Sequence, residues 1–202
     1  TVINAFAKSG KVDQAESLLN EMHLAFMSGD YRLKPNVQTL TTIVEAWSRS
    51  DAVDGLERAA AVFQRMRELH EFGLSNEGPD VVAYNVMLNC YAMSAPRGAA
   101  TTSNLRDAAK RADSLLQEMK ERSATAEKGV APDFRSYSIV IHAWAQALNE
   151  RRAVKILHEA LDVYEVGDSE MELDLPTIHT VLRALGRAGK GAKAEALLER
   201  LC

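Results

Sequence analysis

Cysteine is nearly absent from this chain of 202 residues: Cys90 and Cys202 lie far apart and make no CxxC pair. That argues against a disulfide scaffold and against a cysteine-based zinc site. The chain also lacks an excess of positive charge, with 24 Lys and Arg against 28 Asp and Glu and a formal net charge of −4. A nucleic-acid binder relying on bulk charge is disfavoured, while a local basic stripe stays open. No apolar run approaches the roughly 18 residues of a membrane span. His23, His70, His142, His158 and His179 are dispersed, with no HExxH spacing, no Gly-rich phosphate loop and no GxSxG. These absences predict no enzyme active site, no metal, no cofactor, no small-molecule substrate and no membrane partner. The chain starts at Thr1 inside one apolar pattern and ends at Cys202 inside another, and so reads as a piece of a longer protein.

What remains is 47% hydrophobic and 26% charged, a balance that folds. Proline is confined, and four of the five lie in blocks of one kind: Lys34-Pro35-Asn36, Gly78-Pro79-Asp80, Ala131-Pro132-Asp133 and Leu173-Asp174-Leu175-Pro176. Proline is tolerated before a helix or in its first turn and costs about 3 kcal/mol inside one. Each block therefore marks a helix boundary, with Asp80 and its counterparts placed to cap the helix that follows.

Aligning on these boundaries gives columns. One runs Val2, Ile43, Met87, Val140, Val181, and the next Ile3, Val44, Leu88, Ile141, Leu182. A small column follows (Ala5, Ala46, Cys90, Ala143, Ala184), then a large one (Phe6, Trp47, Tyr91, Trp144, Leu185). Small beside large at fixed register lets helices approach and interdigitate, so the aromatics read as core. A second helix is anchored at Ala15, Ala59, Ala112, Ala153 and Ala194, with apolar residues three, four and seven positions on. From that alanine to the end of the repeat is 21 residues in every complete case. From the small column to it is 10, 13, 22, 10 and 10 residues. Length variation therefore sits in the turn between paired helices, and the largest insertion, around 94–104, reads as a surface loop. Elsewhere the turn is short, and Gly10 and Gly189 stand where a helix ends in a left-handed conformation.

The expected fold is all-α: an α-solenoid, a right-handed superhelix of about five helix-turn-helix repeats with first helices lining one surface. The expected repeats are 1–36 (partial), 37–80, 81–133, 134–174 and 175–202 (partial), forming one array over 1–202.

With these columns in hand, the chain resembles the pentatricopeptide repeat family over its whole length. The best matches are Pro79-Asp80-Val81-Val82-Ala83-Tyr84-Asn85, Pro132-Asp133-Phe134-Arg135-Ser136-Tyr137-Ser138 and Ala7-Lys8-Ser9-Gly10-Lys11-Val12-Asp13-Gln14-Ala15. The complete copies are about six residues longer than the family's usual unit, or more, which a longer second helix or a longer inter-repeat loop accommodates. The resemblance implies single-stranded RNA as partner, one base per repeat, with other RNA-processing proteins as further partners. It implies base reading by Asn36, by Thr41 with Asp80, by Asn85 with Asp133, by Ser138 with Asp174, and by His179. It implies stacking on Gln38, Val82, Arg135 and Pro176, and phosphate contact by Lys8, Arg49 and Arg187.

The chemistry behind the pairs is simple. A carboxylate accepts but does not donate, which suits the ring N–H of guanine or uracil, whereas the Asn36 amide can donate to adenine or cytosine. The three complete pairs then read guanine, uracil, guanine, with the amino end of the protein toward the 5′ end. The same aspartates also fit simple helix caps, and the basic residues ordinary surface charge. The implied role is organelle RNA processing, stability or translation, in mitochondrion or plastid. A protein-interaction solenoid and the recognition arm of a fused RNA-processing nuclease are the competing readings.

Overall fold

The computed structural model describes residues 2–75, 77–94, 101–125, 129–166 and 175–201. Among them there are ten α-helices, one 3-10 turn and no strand: α1 Val2–Lys8, α2 Val12–Met27, α3 Val37–Arg49, α4 Gly55–Glu71, α5 Val81–Ala92, α6 Thr102–Ala124, α7 Phe134–Gln146, α8 Glu150–Val166, α9 Leu175–Arg187 and α10 Gly191–Leu201. The helices alternate as the repeat arithmetic requires, and the all-α solenoid class holds. The chain divides into two compact units, one of 1–90 with 127–130 and the other of 91–126 with 131–202.

In the first unit α1 pairs with α2 and α3 with α4, and α1 also packs on α3. The rings of Phe63 on α4 and Tyr84 on α5 meet edge-on, 5.1 Å between centroids. In the second unit α6 packs on α7, α7 pairs with α8 and lies beside α9, and α9 pairs with α10. The anchor alanines Ala15, Ala59, Ala112 and Ala153 are wholly buried, as are Ile43, Met87, Val140 and Val181 of the first-helix column. Cys90, in the small column, is buried too, and burial pushes its thiol up to about 11.

Both ways of absorbing the extra residues occur. The second helices α2, α4, α6 and α8 run 16, 17, 23 and 17 residues, and a 3-10 turn at Tyr31–Leu33 fills the link from α2 to α3. Part of the 94–104 insertion is helix rather than loop. Residues 95–100 lie outside the described residues, but Thr102–Asn104 open α6, because the Thr101 hydroxyl accepts from the Asn104 N–H at 3.2 Å and caps the first turn.

Three hairpin turns are superimposable in their hydrogen bonding. The N–H groups of Lys11, Asn149 and Lys190 donate to the carbonyls of Phe6, Trp144 and Leu185, each at 3.0 Å. This closure needs a left-handed residue just before the donor. Gly10 (φ +80°) and Gly189 (φ +67°) supply it, whereas the α7–α8 turn forces Leu148 to φ +55°.

A second recurring device ties neighbouring second helices together. In the first unit Arg58 on α4 lies 4.6 Å over the Trp47 ring and bonds Glu16 (3.2 Å) and Asp13 (3.1 Å) of α2 and its own Asp54 (2.7 Å). In the second, Arg152 on α8 forks onto Asp113 of α6 at 2.6 and 2.8 Å, and the Trp144 indole N–H donates to the same carboxylate at 2.9 Å. Glu16 and Asp113 both follow an anchor alanine, and Arg58 and Arg152 both precede one.

Two stability predictions follow from these devices. Leu148→Gly relieves the left-handed strain of a mostly exposed leucine at some cost in unfolded-state entropy, and should stabilise by about 0.5 kcal/mol. The check is a rise in the denaturant midpoint at unchanged slope. Asp113→Ala strands a guanidinium and an indole N–H and should cost about 2–4 kcal/mol. Glu16→Ala, which leaves Arg58 two other carboxylates, should cost about 1 kcal/mol or less in the same measurement.

Candidate functional site

In the first unit α3 and the start of α5 border a cavity of about 790 Å³, closed below by the segment leading out of α4. Gln38 and Thr41 line it from α3, and Asp80 and Val82 from the α5 side. Val37, Pro79 and Val130 add apolar wall. Four positions that the family resemblance implied, two for reading and two for stacking, thus border one space.

Local chemistry fixes how each polar group faces it. The Thr41 hydroxyl donates to the Val37 carbonyl at 2.8 Å, so its oxygen meets a ligand as an acceptor. Thr42 is committed in the same way to the Gln38 carbonyl. Asp80 caps α5 by accepting the Ala83 N–H on Oδ1 at 2.8 Å, and the cap does not use its other oxygen. His70 lies 3.2 Å through Nδ1 from the Ser75 carbonyl, which can only accept, so that nitrogen carries the proton. A Cβ at residue 78 would sit 2.8 Å from the His70 ring, so glycine there lets the segment close under the cavity.

The profile of the PPR repeat matches residues 1–24. A pentatricopeptide repeat-containing protein of Arabidopsis thaliana is 26% identical over 91 residues, 45% of this chain. The chain is thus similar to the pentatricopeptide repeat (PPR) family. It spans 14% of that relative's length. Among solved structures, maize PPR10 aligns over 98% of this chain and 32% of its own at 16% identity and a TM-score of 0.39. PPR10 in complex with an 18-nt psaJ RNA element aligns over 99% and 32% at 21% identity and a TM-score of 0.34.

The helix starts at the three described Asn or Asp positions are capped alike. Asn36 and Asp133 repeat the Asp80 bond, accepting the N–H of Thr39 and Ser136, each at 2.8 Å. At Asp133 the Ser136 hydroxyl also accepts from the Asp133 N–H, completing a capping box. Asp174 lies outside the described residues. The cap reading of Asn36, Asp80 and Asp133 is therefore realised, on side chains that stay exposed.

The early-helix positions differ from one another. Thr41 is half-buried at the cavity and His179 is exposed, but Asn85 is 7% and Ser138 9% exposed. For Ser138 the cause is the next first helix: Thr177 of α9 donates its hydroxyl to the Ser138 hydroxyl at 3.0 Å. Thr41 and His179 are therefore accessible to a ligand, whereas Asn85 and Ser138 are covered. Of the stacking positions, Gln38, Val82, Arg135 and Pro176 are all exposed. Lys8, Arg49 and Arg187 are exposed at first-helix ends, and Arg49 pairs with Glu45 one turn back at 3.3 Å.

Sequence reasoning missed the Glu45 and Glu77 carboxylates, which border the same cavity. Glu45 was findable, because it lies four residues after Thr41 and so on the same helix face. Among the described residues no group of His, Cys, Asp and Glu could hold a metal ion, and no helix is long and apolar enough to cross a membrane.

The double use of Asp80 can be taken apart. Asp80→Ala should cost about 1 kcal/mol through the lost cap, and Asp80→Asn only a few tenths, since Asn caps nearly as well. Thermal unfolding of the two variants reads the difference, and equal losses would remove the cap from the account.

Proposed function

We propose that this PPR chain binds single-stranded RNA in a sequence-selective manner, and that residues 1–202 act as one array in organelle RNA processing, stability or translation, in mitochondrion or plastid. The family supports RNA as the ligand class. The observation that carries the proposal is the cavity bordered by Gln38, Thr41, Asp80 and Val82. A space of that size accepts a nucleobase between the two stacking positions, with its Watson–Crick edge toward Thr41 and Asp80.

The mechanism is passive. Exposed Lys8, Arg49 and Arg187 position the backbone without reading sequence, and the pairs at successive repeats discriminate bases. The binder occludes a single strand or presents it to another RNA-processing protein. We assign guanine to Thr41 with Asp80, uracil to Asn85 with Asp133, and guanine to Ser138 with Asp174. Asn85 and Ser138 are covered in the free chain, so the first guanine is the base met by an already open pocket. It should carry the strongest preference.

Selection from randomised RNA should return an ordered G-U-G core, most sharply defined at its first position. Asp80→Asn should move that first position from guanine toward adenine by roughly tenfold, as an acceptor becomes a donor. Binding without any base preference, or an unchanged first position in Asp80→Asn, would refute the assignment.

A further inference from the structure

Resting on the reading above, we infer that Glu45 is a third specificity-determining residue of the Thr41–Asp80 cavity, and that it accepts a hydrogen bond from the exocyclic amino group of guanine. Glu45 lies one turn beyond Thr41 on α3 and borders the same cavity. Its Oε1 faces Arg49 Nη1 at 3.3 Å, which holds the carboxylate in place and leaves Oε2 outside the pair.

The donor and acceptor inventory of the cavity decides the ligand edge. Thr41 and Thr42 have spent their hydroxyl protons on helix carbonyls. Asp80, Glu45 and Glu77 are carboxylates and accept only. The Gln38 amide is the donor on the α3 wall. A lining of this kind favours an edge with adjacent N–H groups. Guanine offers two, its ring N1–H and its 2-amino group, beside one carbonyl. Uracil and hypoxanthine offer a single ring N–H, and adenine would turn a bare ring nitrogen toward a carboxylate. One carboxylate satisfies N1–H, and the 2-amino group needs a second acceptor. Glu45 is the carboxylate acceptor on the Thr41 helix, beside the neutral hydroxyl oxygens of Thr41 and Thr42.

An independent pattern supports a reading role for this position. The residues four beyond the early-helix positions, or in the same slot, are Asn4, Glu45, Asn89, His142 and Arg183. All five are polar and span four residue types, while the columns on either side of them are mostly apolar. None of the five is fully buried. In the second unit His142 approaches Thr177 (3.5 Å) and Thr180 (3.4 Å), and Thr177 is the residue that bonds Ser138. The slot therefore borders the same cavity as Thr41 in the first unit and shares the Thr177 hydroxyl with Ser138 in the second.

The test uses the full chain and an RNA carrying guanine at the position sensitive to Asp80→Asn, against the same RNA with inosine there. Inosine keeps N1–H and the carbonyl and lacks only the 2-amino group. The parent chain should prefer guanine over inosine by roughly tenfold, the worth of one hydrogen bond to a charged acceptor. Glu45→Ala should bring that ratio near one. Glu45→Ala also frees Arg49, so affinity for the inosine RNA should rise and the salt dependence on both RNAs steepen by up to about one counterion. Because guanine and inosine carry the same phosphates, this second effect cancels in the ratio. A guanine preference that survives in Glu45→Ala, or equal binding of guanine and inosine by the parent chain, overturns the inference and leaves RNA binding standing. Absence of RNA binding by the parent chain removes the underlying function and the inference with it.

Discussion

One hydrogen bond recurs at each described repeat boundary: a side-chain oxygen of Asn36, Asp80 or Asp133 accepts the backbone N–H three residues on, at 2.8 Å. It satisfies a donor that the first turn of a helix otherwise leaves open. It also sets the residue at which the helix begins. Because an α-helix turns 100° per residue, the starting residue fixes which side chains face which way for the next three turns. Thr41 reaches the cavity from α3, and Leu40, Ile43 and Val44 the core, only because the helix starts after Asn36. A start shifted by one residue would turn the reading position away from the cavity. The cap residue also remains exposed, and at Asp80 it borders the cavity, so one carboxylate begins the helix and offers an acceptor to a ligand.

The packing follows from that phase. With the helix start fixed, the anchor alanines Ala15, Ala59, Ala112 and Ala153 of the second helices are pressed against their neighbours until nothing of them is exposed. Alanine suits such a contact because any larger side chain would force the backbones apart. Between second helices, where polar side chains must be accommodated, an arginine before the anchor reaches an acid after the previous one. Arg58 and Arg152 do so in their own units, each against the tryptophan of its hairpin. The two versions differ by one methylene. The shorter Asp113 takes both guanidinium and indole N–H, while the Trp47 Nε1 is buried without an acceptor. This difference in satisfaction makes Asp113 the more consequential acid.

The parts legible in the sequence are those that depend on one helix at a time. Periodicity located both helices of each hairpin, Pro with Asn or Asp located their starts, and glycine located two left-handed turns. The third such turn was hidden because Leu148 gives no local sign of its conformation; the hairpin imposes it. The helical end of the 94–104 insertion was hidden because Thr101 is an ordinary loop residue until Asn104 is seen to donate to it. The burial of Ser138 was hidden for a different reason. Its cover comes from Thr177, on the next first helix, and periodicity within α7 carries no information about what a later element lays over it. Thr41 with Asp80, by contrast, was paired only through the resemblance to a repeat family, and the two residues border one open space.

The net charge of −4 takes on a different meaning once the acids are sorted by location. Many of those on or beside the second helices are paired with a cation: Asp13, Glu16 and Asp54 share Arg58, Asp113 meets Arg152, Glu159 meets Lys120, and Asp162 meets Arg200. Their role is to hold hairpins in register, and they contribute little field beyond a few ångströms. The acids at the cavity are of another kind: Glu45, Glu77 and Asp80 face the space a ligand would enter. A negative cavity repels phosphate and attracts N–H donors, so phosphate cannot be the group that enters it. For the RNA ligand proposed above, backbone contacts at such a cavity supply only a modest share of the affinity. The remainder has to come from base edges and stacking, which are the terms that carry sequence information. An acidic balance, at first sight an argument against nucleic acid, is thus compatible with a chain that binds weakly where it cannot read and well where it can.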